Sequence, residues 1–330
     1  MVQPLGIPRV TTSSREVSMR MSNCRRVVRT LLQPCLLFVA SALVAVPPLT
    51  AQTGRTRIVV LGSGTPIPDP DRFGPAVAIV VDSVPYLFDA GSGVMRRVAG
   101  ALRAGVAGMQ TPRITHVFLT HLHSDHTLGL NDVLFTPWIQ GRTAPLELYG
   151  PPGTQRLVRG IIDGNDEDIH ERLAAAGGPS ADGYKANVHE IGDGVVFRDA
   201  RVTVRAFAVP HAGWTFAFGY RIDTPDRSIV ISGDARQNPA IARECNGCDV
   251  LIHEVYSDAG FATVPVKRQT YHAQAHTSAS QLGTIATNAR PGLLVLYHQL
   301  FFGATDEQLV SEVQSRFTGR VISAKDLQIF

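Results

Sequence analysis

The segment 120–126 concentrates side chains that can bind metal ions. It reads Thr-His-Leu-His-Ser-Asp-His and supplies four such groups, His121, His123, Asp125 and His126. Imidazole nitrogens and carboxylate oxygens suit Zn²⁺ at distances of about 2.0–2.2 Å. Burying three histidines and an aspartate together without a cation would be costly. The segment therefore predicts a metal site.

Two metal ions about 3.5–4 Å apart need more ligands than one loop supplies, so other segments must contribute to the site. Runs of β-branched and aromatic residues bounded by turn residues predict strands, and longer amphipathic segments predict helices. The predicted strands are 57–61, 76–82, 86–89, 114–120, 146–149, 202–209, 216–222, 228–232, 250–253 and 293–297. The predicted helices are 95–104, 154–162, 167–176, 239–244, 278–289 and 306–317. Helices separate groups of strands, which predicts a layered α/β protein.

Residues 1–51 have the order of a secretory signal peptide. A basic stretch with Arg25, Arg26 and Arg29 precedes the apolar run 35–46, and a small residue, Ala51, marks the expected cleavage site. A membrane anchor is the alternative, but Pro34 interrupts the segment. The start codon could also lie farther along, within this leader. We expect a single hydrolase domain over 52–330, located in the periplasm or secreted, with no stable membrane anchor after cleavage.

The net positive charge of the sequence comes from this leader. The whole sequence has a formal net charge of +3, but removal of the leader's six arginines and one glutamate leaves 25 basic and 27 acidic residues. A domain without a basic excess is poorly suited to follow a long phosphate backbone. Nucleic acid is therefore an unlikely partner on this reasoning.

Two of the four cysteines, Cys24 and Cys35, lie in the leader. The other two, Cys245 and Cys248, could form a short-loop disulfide or remain buried thiols. A structural role is favoured over a redox role, because the strand-helix context of a thioredoxin motif is not evident. The turn at 62–64 lacks the spacing of a dinucleotide fingerprint, so no nucleotide cofactor is predicted.

Over most of 57–302 the sequence resembles the metallo-β-lactamase superfamily, and within it the ribonuclease Z and arylsulfatase-like branch. The matching motifs are LGSGTP at 61–66, YLFDAGSGV at 86–94, THLHSDHTLGL at 120–130, PHAG at 210–213, SGDA at 232–235, HE at 253–254 and LVLYH at 294–298. The resemblance implies a four-layer αββα sandwich with a dinuclear metal centre.

The resemblance also implies how the ligands divide between the two metal ions. The first ion would be held by His121, His123 and His211, and the second by Asp125, His126 and His298, with Asp234 bridging the two. The expected cofactors are two Zn²⁺ ions, with Mn²⁺ or iron as alternatives.

Three residues are predicted to be catalytic. Asp125, or alternatively a carboxylate behind the metal ligands, would orient the attacking water, which metal coordination activates by lowering its pKa to about 7. His276 lies in a context similar to the family's histidine, serine or threonine motif and would act as the acid, with Glu254 setting its protonation. A solvent-facing loop histidine is the alternative for His276, and His272 is a weaker competitor for its role.

The expected function is that of an exported hydrolase of a small anionic ester, a phosphodiester or an aryl sulfate. A ribonuclease Z-like tRNA 3′ endonuclease is the alternative. Four features oppose this alternative: the leader, the absence of a basic excess in the mature domain, the lack of a long Gly- and Pro-rich arm in 150–210, and the residues that follow His298. A β-lactamase or lactonase and a metal-binding protein without turnover are further alternatives. The substrate pocket could be lined by aromatic residues that could equally belong to the core: Phe135, Trp138, Trp214 and Phe216. A homodimer is left open.

Overall fold

The computed structural model describes residues 55–330. The predicted signal peptide, 1–51, lies outside the described residues, and so do Cys24 and Cys35. Within 55–330, no helix combines the length and the apolar character required to cross a membrane.

The first sheet has seven strands in the order β14-β1-β2-β3-β4-β5-β6. These strands are β1 (Thr56–Gly62), β2 (Ala76–Val81), β3 (Val84–Phe88), β4 (His116–Phe118), β5 (Leu146–Gly150), β6 (Ala186–Glu190) and β14 (Gln328–Ile329). β2 and β3 form a hairpin whose two turn residues, Asp82 and Ser83, have positive φ angles of 48° and 63°. From β3 to β6 the strands run parallel, so their carboxyl ends share one edge.

The second sheet also has seven strands, in the order β13-β12-β11-β10-β9-β8-β7. They are β7 (Gly194–Arg198), β8 (Thr203–Ala208), β9 (Phe218–Asp223), β10 (Ser228–Ile231), β11 (Val250–Tyr256), β12 (Leu293–Leu300) and β13 (Val321–Ser323). β10, β11 and β12 are parallel, which again brings strand ends to a common edge.

Helices cover the outer face of each sheet. They are α1 (Val94–Arg103), α2 (Ser124–Thr127), α3 (Leu130–Ile139), α4 (Thr154–Asp163), α5 (Asp166–Ala174), α6 (Pro239–Cys245), α7 (Asp258–Phe261), α8 (Val266–Ala275), α9 (Ala279–Ala289) and α10 (Asp306–Gln314). The two inner sheet faces pack on each other through residues such as Phe118 and Ile252. α1 and α3 pack on the first sheet, and α6, α9 and α10 pack on the second. The predicted four-layer αββα sandwich is confirmed.

Some predicted elements differ from those observed. The strand predicted at 114–120 is shortened to β4, because Thr111–Arg113 form a 3₁₀ turn and the chain leaves the sheet after Phe118. Sequence patterns missed α3, which holds Pro137 in its interior, and α8, whose residues are mostly polar. The prediction left the pairing of Cys245 and Cys248 open, and the structure joins them in a disulfide at the end of α6.

Candidate metal centre

Loops that follow strands of both sheets bring the predicted ligands to one edge of the sandwich. After β4 the chain carries His121 and His123, and α2 then presents Asp125 and His126. His211 follows β8, and Asp234 follows β10. Because these loops leave the sheets at the same edge, side chains far apart in sequence can meet there.

His298 reaches the site through a β-bulge. The sequence predicted that strand 293–297 ends before this residue, but β12 continues to Leu300. In the pairing with β11, Tyr297 lies opposite Glu254 and Gln299 opposite Val255, so His298 is the extra residue, with φ of 46°. A bulge turns a side chain away from the regular alternation, and here it directs the imidazole to the other ligands.

The first group of ligand atoms surrounds Nδ1 of His123. This nitrogen lies 3.0 Å from Nε2 of His121 and 3.1 Å from Nε2 of His211. Oδ2 of Asp234 lies 3.9 Å from each of those two Nε2 atoms. His123 is half-buried and the other three side chains are buried. The structure thus brings the four residues predicted for the first ion within 4.8 Å of one another.

The second group lies beside the first and shares Asp234 with it. Oδ2 of Asp125 lies 3.2 Å from Nε2 of His298 and 3.5 Å from Nε2 of His126. Oδ1 of Asp234 is 3.4 Å from Nε2 of His126, and Oδ2 is 3.5 Å from Nε2 of His298. Asp234 therefore lies between the two groups, the position predicted for a bridging ligand, and the cluster is consistent with a dinuclear metal site.

Hydrogen bonds outside the cluster turn imidazole lone pairs towards it. Nδ1 of His211 donates to the carbonyl oxygen of Ala275 at 2.7 Å, and Nδ1 of His126 donates to Asp89 at 2.8 Å. Each bond places the proton of a neutral imidazole on Nδ1 and directs Nε2 inward, which is the usual arrangement of metal-binding histidines. Nε2 of His126 and Oδ1 of Asp234 are buried and have no hydrogen-bond partner among the described residues. A cation would satisfy both atoms, so the donor set fits a metal centre.

The electrostatics of the cluster agree with this fit. Burial lowers the pKa of His121 well below its usual value and also lowers that of His211, so both imidazoles are held in the neutral form that binds metal. Burial opposes protonation of His126, but the carboxylates of Asp234 and Asp89 outweigh it and raise the pKa of this histidine well above the ordinary range. Without a metal the carboxylates therefore retain a proton on His126, and a bound cation would replace that proton.

One contact requires an adjustment before a metal binds. Nε1 of Trp214 donates a hydrogen bond to Nε2 of His123 at 2.6 Å. An indole N–H is only a donor, so this bond requires an unprotonated Nε2. A neutral imidazole then carries its proton on Nδ1, the nitrogen that faces His121 and His211. Metal binding through Nδ1 would move the proton to Nε2 and release the indole.

Asp89 supports the cluster and was missed as a functional residue by sequence reasoning. It is buried directly after β3, and its φ of 60° lies in the left-handed region. Its Oδ1 accepts from the backbone N–H of Thr120 at 2.8 Å, and its Oδ2 accepts from His126. The motif at 86–94 contains this residue, but no local pattern indicates that His126 is its partner.

The two residues predicted to act as the acid and its partner, His276 and Glu254, lie against the cluster. Nδ1 of His276 is 3.3 Å from Oε2 of Glu254 and 3.9 Å from Oδ2 of Asp234. The Glu254 side chain is fully buried on β11, and its Oε1 accepts from the backbone N–H of Thr277 at 2.8 Å. Burial and the negative charge of Asp234 raise the pKa of Glu254 well above its usual value, whereas burial lowers the pKa of His276 to about 4. The pair therefore favours a protonated carboxyl beside a neutral imidazole. His276 is 5% exposed, which argues against the solvent-facing alternative.

The aromatic residues proposed for the pocket divide between core and site. Phe135 and Trp138 are buried in the core under the first sheet, and Phe216 is exposed. Trp214 contacts two predicted ligands: its indole donates to His123, and its backbone N–H donates to the carbonyl oxygen of His211. His272, the weaker competitor for the acid role, lines the cleft over the cluster.

A cleft of about 250 Å³ opens above the two groups of ligands. Asp125, Asp234 and His298 line it, Pro66 and Ile67 lie on its rim, and α8 contributes Arg268, Tyr271 and His272. It adjoins a second cleft of about 570 Å³, which shares Pro66, Ile67 and Asp125 with it. The sequence did not indicate Arg268 or Tyr271, because α8 itself was not predicted.

Comparisons with known proteins agree with this architecture. A β-lactamase superfamily domain matches residues 85–299. Ribonuclease Z of Mycobacterium avium (strain 104) is 34% identical over 275 residues, which cover 82% of this chain and 96% of that protein. Ribonuclease Z of Mycobacterium bovis (strain BCG / Pasteur 1173P2) is 33% identical, with the same coverage.

Two solved structures share the fold at lower identity. Human tRNase Z, short form, is 24% identical with a TM-score of 0.63, covering 83% of this chain and 98% of that one. The metallo-β-lactamase fold protein YhfI from Bacillus subtilis is 18% identical with a TM-score of 0.62, covering 83% of this chain and 99% of that one. Both similarities concern the arrangement of the sheets and helices described above.

Proposed function

The chain belongs to the metallo-β-lactamase superfamily, in its ribonuclease Z-like branch, and from this membership we propose that it is a ribonuclease Z-like endonuclease that cleaves transfer-RNA precursors near their 3′ ends. The chain is a metal-dependent hydrolase by its family, and the choice of RNA as substrate rests on one observation. Its similarity to the ribonuclease Z of M. avium spans 96% of that protein.

This proposal replaces the sequence-based expectation of a small anionic ester as substrate. That expectation, and the view that nucleic acid is an unlikely partner, are wrong, because the similar curated proteins are named ribonuclease Z. The physical error was to use the net charge of the domain in place of the charge of its site. Phosphates respond to the cations that face them. Two divalent ions would outweigh the negative charges of Asp125 and Asp234.

The argument from the missing arm fails as well. The segment 150–210 lacks a long Gly- and Pro-rich arm and forms α4, α5, β6, β7 and β8. Because the similarity extends over nearly the whole of the M. avium protein, the composition of this segment does not separate the chain from those relatives.

Two zinc ions are the proposed cofactors. His121, His123 and His211 would hold one, Asp125, His126 and His298 the other, and Asp234 would contact both. When bound, such ions lower the pKa of a coordinated water and polarise the oxygens of a phosphodiester. The support for this assignment is the pair of ligand groups that meet at Asp234, together with its unsatisfied Oδ1.

The chain's own residues would orient the water and handle the proton of the leaving oxygen. Asp125, 6% exposed on the floor of the cleft, would accept a hydrogen bond from the attacking water and align it with phosphorus. His276 would donate a proton to the departing oxygen through Nε2, since Nδ1 faces Glu254. Glu254 would then give its own carboxyl proton to Nδ1, because burial keeps this carboxyl protonated.

The test is cleavage of a transfer-RNA precursor that carries a 3′ extension. We expect the zinc-loaded protein to release the extension as one fragment, and Asp125→Ala to lower the rate by several orders of magnitude while the fold persists. Bis(4-nitrophenyl) phosphate, an aryl sulfate, a lactone and a cephalosporin serve as competing substrates in parallel assays. Hydrolysis of one of these without cleavage of the precursor would contradict the proposal.

A further inference from the structure

One wall of the metal cleft is a helix face that the mechanism above leaves without a role. α8 runs from Val266 to Ala275 beside the cleft, and three of its side chains line the cavity: Arg268, Tyr271 and His272. Their spacing of three and four residues places them on one side of the helix. Lys267 is exposed and does not line the cleft, although it lies next to Arg268 in sequence.

Arg268 brings a positive charge that pairs with no acidic side chain of the described part of the chain. Across residues 55–330, the ion pairs within 4.0 Å include Arg55 with Asp82 and Arg72 with Asp306, and none involves the Arg268 guanidinium. This guanidinium also donates no hydrogen bond to another described residue. It therefore has its donors available to an anion in the cleft, and a guanidinium fits two phosphate oxygens at once.

Tyr271 adds a second donor on the same wall. Its side chain is 46% exposed and lies in a cleft whose floor includes Asp125 and Asp234. Burial of part of the ring and the two carboxylates raise the pKa of its hydroxyl, which therefore remains protonated and able to donate. The ring also offers a flat surface on which a nucleobase can stack.

Arg268 lies farther back along α8 than the residues next to the acid, His276. Four helical residues rise by about 6 Å, so Arg268 lies one turn before His272, which in turn precedes His276 by four residues. The guanidinium contacts neither Asp125 nor Asp234. A phosphate bound there would lie beside the scissile phosphodiester, not at it.

We propose that Arg268 and Tyr271 form a phosphate-binding wall that holds the RNA backbone at a phosphodiester neighbouring the scissile one. The proposal rests on the proposed function for the identity of the polymer. It assigns α8 to substrate binding. It predicts that removing the Arg268 or Tyr271 donor weakens the affinity for RNA more than it slows the chemical step. It also predicts that a small diester, which has no neighbouring phosphate, gains less from the wall than the RNA does.

The matched variants are Arg268→Gln and Lys267→Gln, which remove one charge each from adjacent positions of α8. With the precursor RNA, Arg268→Gln is expected to raise KM about 10-fold, because a charge-assisted hydrogen bond to phosphate is lost. The value of kcat is expected to change less than about 2-fold. Lys267→Gln is expected to change KM less than about 2-fold. Tyr271→Phe is expected to raise KM about 5-fold, since one neutral hydrogen bond is lost. With bis(4-nitrophenyl) phosphate, Arg268→Gln and Tyr271→Phe are expected to lose less than with the precursor RNA, and Lys267→Gln is expected to match the wild type.

Direct binding separates this inference from the proposed function. The probe is a fluorescein-labelled oligothymidylate of ten residues, followed by anisotropy over a range of salt concentrations. Arg268→Gln should weaken binding and reduce the slope of log K against log salt by about 0.7, the value for one phosphate contact on a single strand. Lys267→Gln should leave the slope unchanged.

The possible outcomes have different consequences. Two results would overturn the phosphate-binding wall even if the wild type cleaves the precursor RNA. One is an equal KM in Arg268→Gln and Lys267→Gln, and the other is an equal loss of activity of Arg268→Gln with RNA and with the small diester. Unchanged KM in Tyr271→Phe would remove that residue from the wall. A wild-type protein that binds the oligonucleotide through Arg268 but does not cleave the precursor would leave the wall in place and overturn the proposed function.

Discussion

Asp89→Asn tests how the protein holds His126 for a metal. The carboxylate accepts from the backbone N–H of Thr120 at Oδ1 and from Nδ1 of His126 at Oδ2, and the Thr120 hydroxyl lies 3.0–3.1 Å from both oxygens. The backbone N–H and the imidazole are the two donors that approach different oxygens. An asparagine amide has one acceptor oxygen and one donor group, so it can satisfy only one of these two donors. Asparagine tolerates a φ of 60°, so the backbone at this position need not change.

The expected loss follows from the bond between Asp89 and His126. A charge-assisted hydrogen bond contributes about 1.5–3 kcal/mol, and loss of such an outer partner typically costs about 10- to 100-fold in metal affinity. We therefore expect Asp89→Asn to weaken binding of one of the two zinc ions by about 10- to 100-fold and to leave the other nearly unchanged. Competition with a chromogenic chelator measures both affinities.

A second carboxylate provides the control for this experiment. Asp326 accepts from the backbone N–H groups of Ser63 and Phe73 but contacts none of the proposed metal ligands. Asp326→Asn is expected to lower the thermal midpoint without changing either zinc affinity. If Asp89→Asn binds both ions as the wild type does, or if Asp326→Asn shows the same loss of zinc, the role assigned to Asp89 is wrong.

Three other perturbations have defined outcomes. His276→Ala is expected to retain both metal ions by elemental analysis while kcat falls about 10²- to 10⁴-fold, the usual contribution of a general acid; loss of metal would count against its role as the acid. Trp214→Phe removes the indole donor that opposes the metal-binding tautomer of His123. Zinc affinity at the first site should therefore rise about fivefold, the equivalent of one neutral hydrogen bond. A lower affinity in a chelator titration would refute this reasoning. Reduction of the disulfide between Cys245 and Cys248 should cost about 2 kcal/mol in a chain-entropy treatment of so short a loop, measured by urea unfolding with and without dithiothreitol, and an unchanged midpoint would oppose it.

Local pattern was sufficient for a layered α/β protein and for the ligand candidates in 120–126, whereas the four-layer sandwich and the remaining ligand candidates came from the family resemblance. Strands such as β1 and β2 are apolar runs bounded by turns, and each was predicted close to its observed bounds. The segment 120–126 was recognised as a metal-binding segment from its residue types alone. His211, Asp234 and His298 became ligand candidates through the resemblance and their positions near strand ends, and the fold does bring all three to the cluster.

The parts that were missed depend on tertiary contacts. Asp89 acts through His126, 37 positions away in sequence, and nothing local to either residue encodes that contact. The bulge that directs His298 arises from the pairing of β12 with β11. The helix α8 has no clear apolar periodicity, because one of its faces lines the cleft, so Arg268 could not be recognised as part of the site.

The substrate was misjudged for a different reason. Composition reports the charge of a whole domain, whereas a phosphodiester meets only the groups that line the cleft. Export and the signal peptide at 1–51 stay predictions of the sequence, since that segment lies outside the described residues.

We infer that seven side chains hold a pair of metal ions which the reaction requires. Native mass spectrometry of the purified protein, with precursor cleavage measured on the same sample before and after dialysis against a chelator, tests it most directly. We predict two zinc ions per chain, neither ion after dialysis, and a parallel loss of cleavage that added zinc restores. A chain that carries no metal, or that cleaves the precursor equally well after the chelator, would contradict the account.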